Sequence, residues 1–453
     1  MTGPGRPSPA FLRALAAILA GALAVRLLYT IAVAGNELSP GPAGDFVFYH
    51  QLANLIADGH GFVSPFRLEQ LGRTAPTAEH PPLWPLLLAG GSKLGGNGLL
   101  AHRLVGVPVG VAVVAVLALI GRRVGGERAG LAVAAIAAAH PLLIAADGSL
   151  MSETLFGLWV ALGLLAALRL LERPAPARAA WLGAAVGLAA LTRGEGLLLV
   201  PLLALPAAWA AARPPGRRGL AGGAAASAPA RRRGRALAVA AVAATVLVLA
   251  PWLVRNWTTF DRPVLTSTND GTVLTGANCD RAYHGRDLGF WRVDCRSPLR
   301  DPNEARQSAT WRDEGLDHAG DHAGRLVTVV IPVRLLRTWD LWQPDRQVDL
   351  AEGRDPTMER LGAAVYFLLL PLAVAGAIAL RRRGGPLWVL LTPVALVTIV
   401  SVTAYGYTRF RHPADLALVV LAGLALARLS GAANAARAGG GCRSGAAGRS
   451  TRP

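Results

Sequence analysis

Charge is scarce in this chain. Only 16% of its 453 residues are Asp, Glu, Lys or Arg, while 53% are hydrophobic. A soluble domain of this length needs more charge to cover its surface, so the composition points to a membrane protein. Cysteine is nearly lacking, with three residues in all. Cys279 and Cys295 share one long polar segment and Cys442 lies in an Arg-rich tail. The first two either pair in an oxidising compartment or stay as two free thiols. No P-loop and no dinucleotide fingerprint is present, so no nucleotide cofactor or soluble nucleotide donor is indicated. A cleavable signal peptide is also missing: the first apolar run, about 11–34, is long enough to span and has no convincing small-residue cleavage site. No internal repeat is visible.

What is abundant is positive charge, +18 net. The basic residues sit in short clusters between apolar runs and not on one polar domain, which excludes nucleic acid as the partner and fits the positive-inside rule. Apolar stretches of spanning length recur at about 11–34, 100–121, 129–146, 153–171, 236–254, 359–380, 386–404 and 411–428. The run 179–212 is too long for one crossing and breaks at Thr192-Arg193-Gly194-Glu195, giving two more. The expected fold is therefore an all-α polytopic membrane protein of about ten transmembrane helices. With that parity the clusters around Arg6 and Arg13, Arg122 to Arg128, Arg173 and Arg178, Arg213 to Arg235, Arg381 to Arg383 and the tail after Arg428 all fall in the cytoplasm. The active face then looks outward from the plasma (inner) membrane.

Four regions follow. Residues 1–254 form an N-terminal membrane module with a first outer loop at 35–99. A short apolar segment at 83–95 reads as a juxtamembrane or re-entrant helix there. A second outer loop, 255–358, holds more than half of the 28 acidic residues, and its stretch Leu326 to Trp342 is expected to lie along the membrane surface. Residues 359–431 supply the C-terminal crossings, and 432–453 read as a disordered basic tail.

Polar residues with chemical potential gather at the outer helix ends. Asp45, in Gly44-Asp45-Phe46-Val47-Phe48-Tyr49-His50, is either a helix N-cap or a carboxylate that takes a proton from a hydroxyl. In Glu79-His80-Pro81-Pro82-Leu83 the prolines fix a Glu/His pair at the interface, facing a phosphate or a metal, unless they only redirect the chain. His102-Arg103 caps the outer end of a spanning helix, where a charge needs a partner or a job. Asp147 and Glu153 share a short turn and either cap helices, hold an Arg or assist a metal. Arg255, Arg409 and Arg411 fall outside, against the orientation bias. Their forked guanidinium suits a lipid phosphate, with ordinary headgroup contact as the plainer alternative.

Taken in order, Gly-Asp45, Glu79-His-Pro-Pro-Leu83, His-Arg103-Leu, Met-Ser-Glu153, the Thr-Arg-Gly-Glu-Gly196 turn, Arg255-Asn-Trp257 and Arg409-Phe-Arg-His-Pro413 resemble the GT-C superfamily of integral membrane glycosyltransferases. Protein O-mannosyltransferases and the lipid A aminoarabinose transferase are the nearest in pattern. The resemblance implies inverting transfer of a sugar from a polyprenyl-phosphate donor to a hydroxyl of a protein, lipid or glycan acceptor on the outer face. It makes Asp45 the general base, with His80, Arg103 and, more loosely, Arg255 on the donor phosphate; Glu79, Arg409 and Arg411, read from the residues above, complete the expected substrate-binding set. A divalent metal, if used, would draw on Asp45, Glu79 and Glu153. The family's usual acidic pair is here Asp45 followed by Phe46. The rival readings are a lipid-linked sugar flippase or transporter and an inactive scaffold homologue.

Overall fold

The computed structural model describes residues 5–35, 44–213, 227–349 and 352–440. All ten expected spanning segments are helical. Seven are long and apolar enough by themselves to cross a membrane, and an eighth is the pair Glu127–Ala139 and Pro141–Gly148, bent by 57°. Pro141 causes that bend, because it offers no N–H to the preceding turn. The remaining two, Pro176–Thr192 and Leu387–Thr403, have 17 residues each. No strand occurs among the described residues; one isolated β-bridge joins Val63 and Pro76. The chain is an all-α, multi-pass membrane protein.

Two ends of the bundle are chemically distinct. At one, arginines tie helix ends together: Arg122 donates to Gly5 O, Arg123 pairs with Glu172 at 2.8 Å, Arg233 donates to Pro174 O and Arg428 to Ala379 O. At the other lie Asp45, the Asp147–Glu153 turn, Arg193 and Arg409, tied to one another by the ion pairs described below. Chain alternation brings each expected basic cluster in the described residues to the first end. Arg217 and Arg218 fall outside the described residues. Arg231 to Arg235 lie within the long Ala228–Phe260 helix.

Buried charge inside the bundle is paired. Arg26, 1% exposed, reaches Asp147 Oδ2 at 2.6 Å, and its other nitrogens donate to Ala137 O and Ala138 O. Asp147 Oδ1 accepts from Thr154. The Leu99–Gly125 helix comes this close only because it carries Gly106 and Gly110 there. A Cβ at either would stand 2.0 Å from an Asp147 oxygen.

The short segment at 83–95 is an 11-residue helix, Leu83–Lys93, packed on the Asp45–Ala57 helix, with Trp84 buried and donating to Leu150 O. Between the Ala228–Phe260 and Pro356–Arg382 helices the described residues form short helices, with a Cys279–Cys295 disulfide among them. The Leu326–Thr338 stretch there is helical. Its Arg334 and Arg337 are buried and spend their donors on Val402 O, Ala277 O, Leu288 O and Arg286 O. One boundary shifts: the last helix runs from His412 to Gly440, beyond the expected start of the tail at 432. Its alanine-rich sequence favours continued helix. Residues 441–453 of that tail lie outside the described residues.

Candidate active site

Asp45 opens the Asp45–Ala57 helix after Gly44, so its carboxylate stands beside free N–H groups at a positive helix end. Two cations meet it. His80 Nε2 lies 3.5 Å from Oδ1, and Arg409 Nη2 lies 3.2 Å from Oδ2. His80 is held between the rings of Phe48 and Tyr49, at centroid distances of 5.0 and 4.8 Å. The strand of backbone carrying it is fastened twice: Ala78 N–H donates to Glu304, and Ala78 O accepts from Thr268 N–H. Thr268 and Glu304, distant in sequence, therefore fix the segment that carries His80.

Arg409 is the hub. Besides Asp45 it contacts Glu153 at 3.1 Å and Glu352. Glu153 also pairs at 2.9 Å with Arg193, which in turn holds Glu195. Acids thus outnumber arginines around this cluster. Burial opposes charge on Asp45, yet His80, Arg409 and Arg193 overcome it and hold the carboxyl well below the usual carboxylate range. Burial opposes charge on His80 too, and Asp45 reverses the outcome, raising its pKa. Glu352 is raised by burial, against the pull of Arg409 and with Asp45 adding repulsion.

Glu79 does not join this cluster. It lines a separate cleft of about 260 Å³ with Glu304, Arg67, Arg296, Trp311 and the hydroxyls of Ser64, Thr268 and Thr272. Burial pushes its pKa up to about 7, with His80 opposing and Glu304 adding to the rise. The cleft and the cation pair are thus joined through adjacent residues, Glu79 on one side and His80 on the other.

Three expected phosphate ligands are placed elsewhere. Arg103, 2% exposed, donates to Gly148 O and secures the turn that carries Glu153. Arg255 donates to Thr77 O and Phe62 O and lies over the rings of Trp252, Phe62 and Phe260. Arg411 is fully buried between Asp340 and Asp415, both at 3.0 Å, with Tyr366 beneath it. The reason is common to all three: their guanidinium groups already engage carbonyls or acids of the fold before any ligand arrives. Asp147 and Glu153 hold arginines. The proposed metal trio is not gathered either. Among the described residues Asp45, Glu79 and Glu153 do not bring three ligand atoms together, since Arg409 stands between Asp45 and Glu153. They do not fit a cation in this arrangement, and no step is derived through one. Arg193 and Glu352 are site residues that the sequence reading did not single out. Arg193 sits in the Thr-Arg-Gly-Glu turn, a signal that marks a helix break and carries part of the family resemblance without naming a role for the arginine, whereas Glu352 has no motif around it.

Comparison with known proteins agrees with this architecture. A family model for dolichyl-phosphate-mannose-protein mannosyltransferase matches residues 79–226. No curated protein sequence matches the chain. Among solved structures, the archaeal oligosaccharyltransferase AglB from Archaeoglobus fulgidus, in complex with an inhibitory peptide and a dolichol-phosphate, superposes with a TM-score of 0.55 at 14% identity. That match covers 97% of this chain and 52% of AglB. A second structure of the Archaeoglobus fulgidus oligosaccharyltransferase, with Zn and sulfate, gives 0.54 at 15% identity, over 91% and 49%. The chain spans about half the length of these structures. It shares the fold of these structures, and the all-α membrane fold that the resemblance implies is borne out.

Proposed function

We propose that the chain is a glycosyltransferase that moves a sugar from a polyprenyl-phosphate donor to an acceptor hydroxyl with inversion, at the non-cytoplasmic face of the inner membrane. The observation that carries the reading is one carboxylate, Asp45, set between two cations, His80 and Arg409, at the end of the bundle remote from the arginine-tied helix ends. The orientation rests on the positive-inside rule, and the Cys279–Cys295 disulfide fits an oxidising compartment on the site's side.

In the donor-free site Asp45 is neutralised by its cations and is a weak base. A donor phosphate competes for the same guanidinium and imidazolium. As they turn to the phosphate, Asp45 loses its partners and its pKa rises towards that of a working base. The acceptor O–H gives its proton to Asp45 while its oxygen bonds to the anomeric carbon. The bond from that carbon to the phosphate oxygen breaks on the opposite side, and the polyprenyl phosphate leaves with the electron pair. Protonated His80 and Arg409 stabilise the charge that gathers on it. The cleft beside Glu79, rich in hydroxyls and carrying Trp311, receives the acceptor. Arg103 and Arg255 act at one remove, by holding the Glu153 turn and the Thr77–His80 segment.

The reading is tested by incubating the reconstituted protein with radiolabelled polyprenyl-phosphate sugars of several kinds and identifying labelled products. Transfer from one of them, lost in Arg409→Gln, supports it. Failure of every such donor, with intact binding of none, overturns it.

A further inference from the structure

A second cluster of chemically able side chains lies away from Asp45, in the helical segment at 280–322. His318 is near the end of the Glu304–Asp321 helix and His322 is the residue that caps it, one turn on, so both imidazoles share a face. Their rings stack at 4.2 Å with 24° between planes. Asp280 Oδ1 faces them, 3.9 Å from His318 Nε2. The ligand atoms of all three residues lie within 4.8 Å of one another.

The protonation geometry leaves the right atoms open. His322 Nδ1 faces His318 O at 3.0 Å, so that nitrogen carries the proton and Nε2 keeps its lone pair. His318 Nε2 is buried and has no hydrogen-bond partner. A ring nitrogen left so, beside a carboxylate and a second imidazole, lacks the satisfaction that buried polar atoms normally find. The support is rigid. Tyr283 packs edge-on against both rings, at 4.9 and 6.1 Å, and Asp280 follows directly on the disulfide-bonded Cys279.

We propose that Asp280, His318 and His322 bind one divalent transition-metal ion of the zinc class. Two imidazoles and one carboxylate favour Zn²⁺, Co²⁺ or Ni²⁺ over Mg²⁺ or Ca²⁺, which take oxygen ligands. Zinc bonds to nitrogen of about 2.0–2.1 Å require the three groups to draw in by roughly 1 Å, and Asp280, 83% exposed, has room to do so. Water completes the coordination. The ion would clamp the Glu304–Asp321 helix to the disulfide-closed segment. That same helix begins with Glu304, which fastens the backbone next to His80. The site is independent of the glycosyl-transfer reading and acts on the stability of that segment.

The test uses the full chain without a polyhistidine tag, purified in detergent, stripped with EDTA and titrated with zinc chloride by calorimetry. The wild type is expected to bind zinc and to melt at a higher temperature in its presence. H318Q and H322Q are expected to weaken that binding about 100-fold and to lose the shift in melting. Should the variants fold poorly, zinc protection of the wild type decides: His318 and His322 become slow to react with diethyl pyrocarbonate, read by mass spectrometry. Equal modification rates of both histidines with and without zinc, or unchanged zinc affinity in H318Q and H322Q, overturn the proposal.

Discussion

Replacing Asp45 by Asn is expected to push transfer and donor binding in opposite directions. The substitution keeps the shape and removes the charge between His80 Nε2, at 3.5 Å, and Arg409 Nη2, at 3.2 Å. Loss of a general base lowers the chemical step by about 10²–10⁴-fold, which is roughly 3–5 kcal/mol in the barrier. Donor affinity responds differently, because Asp45 competes with the phosphate for both cations. Each pair is worth roughly 4–5 kcal/mol gross at an effective dielectric of about 20. Asp45 is 31% exposed and its pairs are screened, so only about 1–2 kcal/mol is expected to appear as tighter donor binding. That is about tenfold in Kd. The assay is single-turnover transfer of labelled sugar in nanodiscs, alongside equilibrium binding of the unlabelled donor. Wild-type turnover in D45N would refute the base assignment. A well-folded D45N that no longer binds donor would show instead that Asp45 is a donor ligand, and the exchange of partners argued above would fail.

Other substitutions separate structure from chemistry. Arg411→Ala leaves Asp340 and Asp415 buried and unpaired, so it should cost about 3–5 kcal/mol of stability. Protein that does fold should bind donor as the wild type does; a weaker Kd with unchanged melting would return Arg411 to the site. Glu79→Gln tests a pH dependence. Its carboxyl is pushed up from 4.5 to about 7, so the stability it contributes is complete below 4.5 and is lost as pH rises through about 7. E79Q should therefore gain on the wild type over that window in thermal melts, and parallel curves would contradict the burial argument. Gly110→Ala places a Cβ 2.0 Å from Asp147 Oδ2. It should break the Arg26–Asp147 pair and lower the melting temperature by several degrees or more, and a wild-type melt would count against that close approach.

The helices were readable because each apolar run is a local property, set by twenty or so consecutive residues. The short Leu83–Lys93 helix was readable for the complementary reason: it is too short to cross. Pairings were not readable. Arg26 meets Asp147 across 121 positions, and nothing near either residue names the other. Asp45 stood out as a carboxylate placed after a glycine where a helix can start, and His80 as a histidine beside a glutamate and ahead of two prolines. Arg409 stood out by its charge on the wrong side of the orientation bias. The same signal drew in Arg255 and Arg411, and Arg103 was drawn in as a charge at the end of a spanning helix. An arginine at a helix end serves a phosphate or serves carbonyls and acids of the fold, and composition is identical in the two cases.

What tells the two kinds of arginine apart is the exposure of their partners. Arg411 holds Asp340 and Asp415, both nearly buried, at 6% and 3% exposure. Those acids cannot be re-solvated if a ligand takes the guanidinium, so exchange would leave charge stranded. Arg409 holds Asp45 and Glu352, at 31% and 34%, while its third acid, Glu153, is 3% exposed and keeps Arg193 as a partner when Arg409 turns away. Released, Asp45 and Glu352 reach water or a substrate. A cation at a membrane surface must be neutralised while its ligand is absent, and a phosphate site therefore needs acids that give way. Under the proposed function this difference suits Arg409 to exchange of Asp45 and Glu352 for a phosphate, and Arg411 to permanence. The acid-rich surroundings of Arg409 are thus the expected resting state of a phosphate site, not an argument against one.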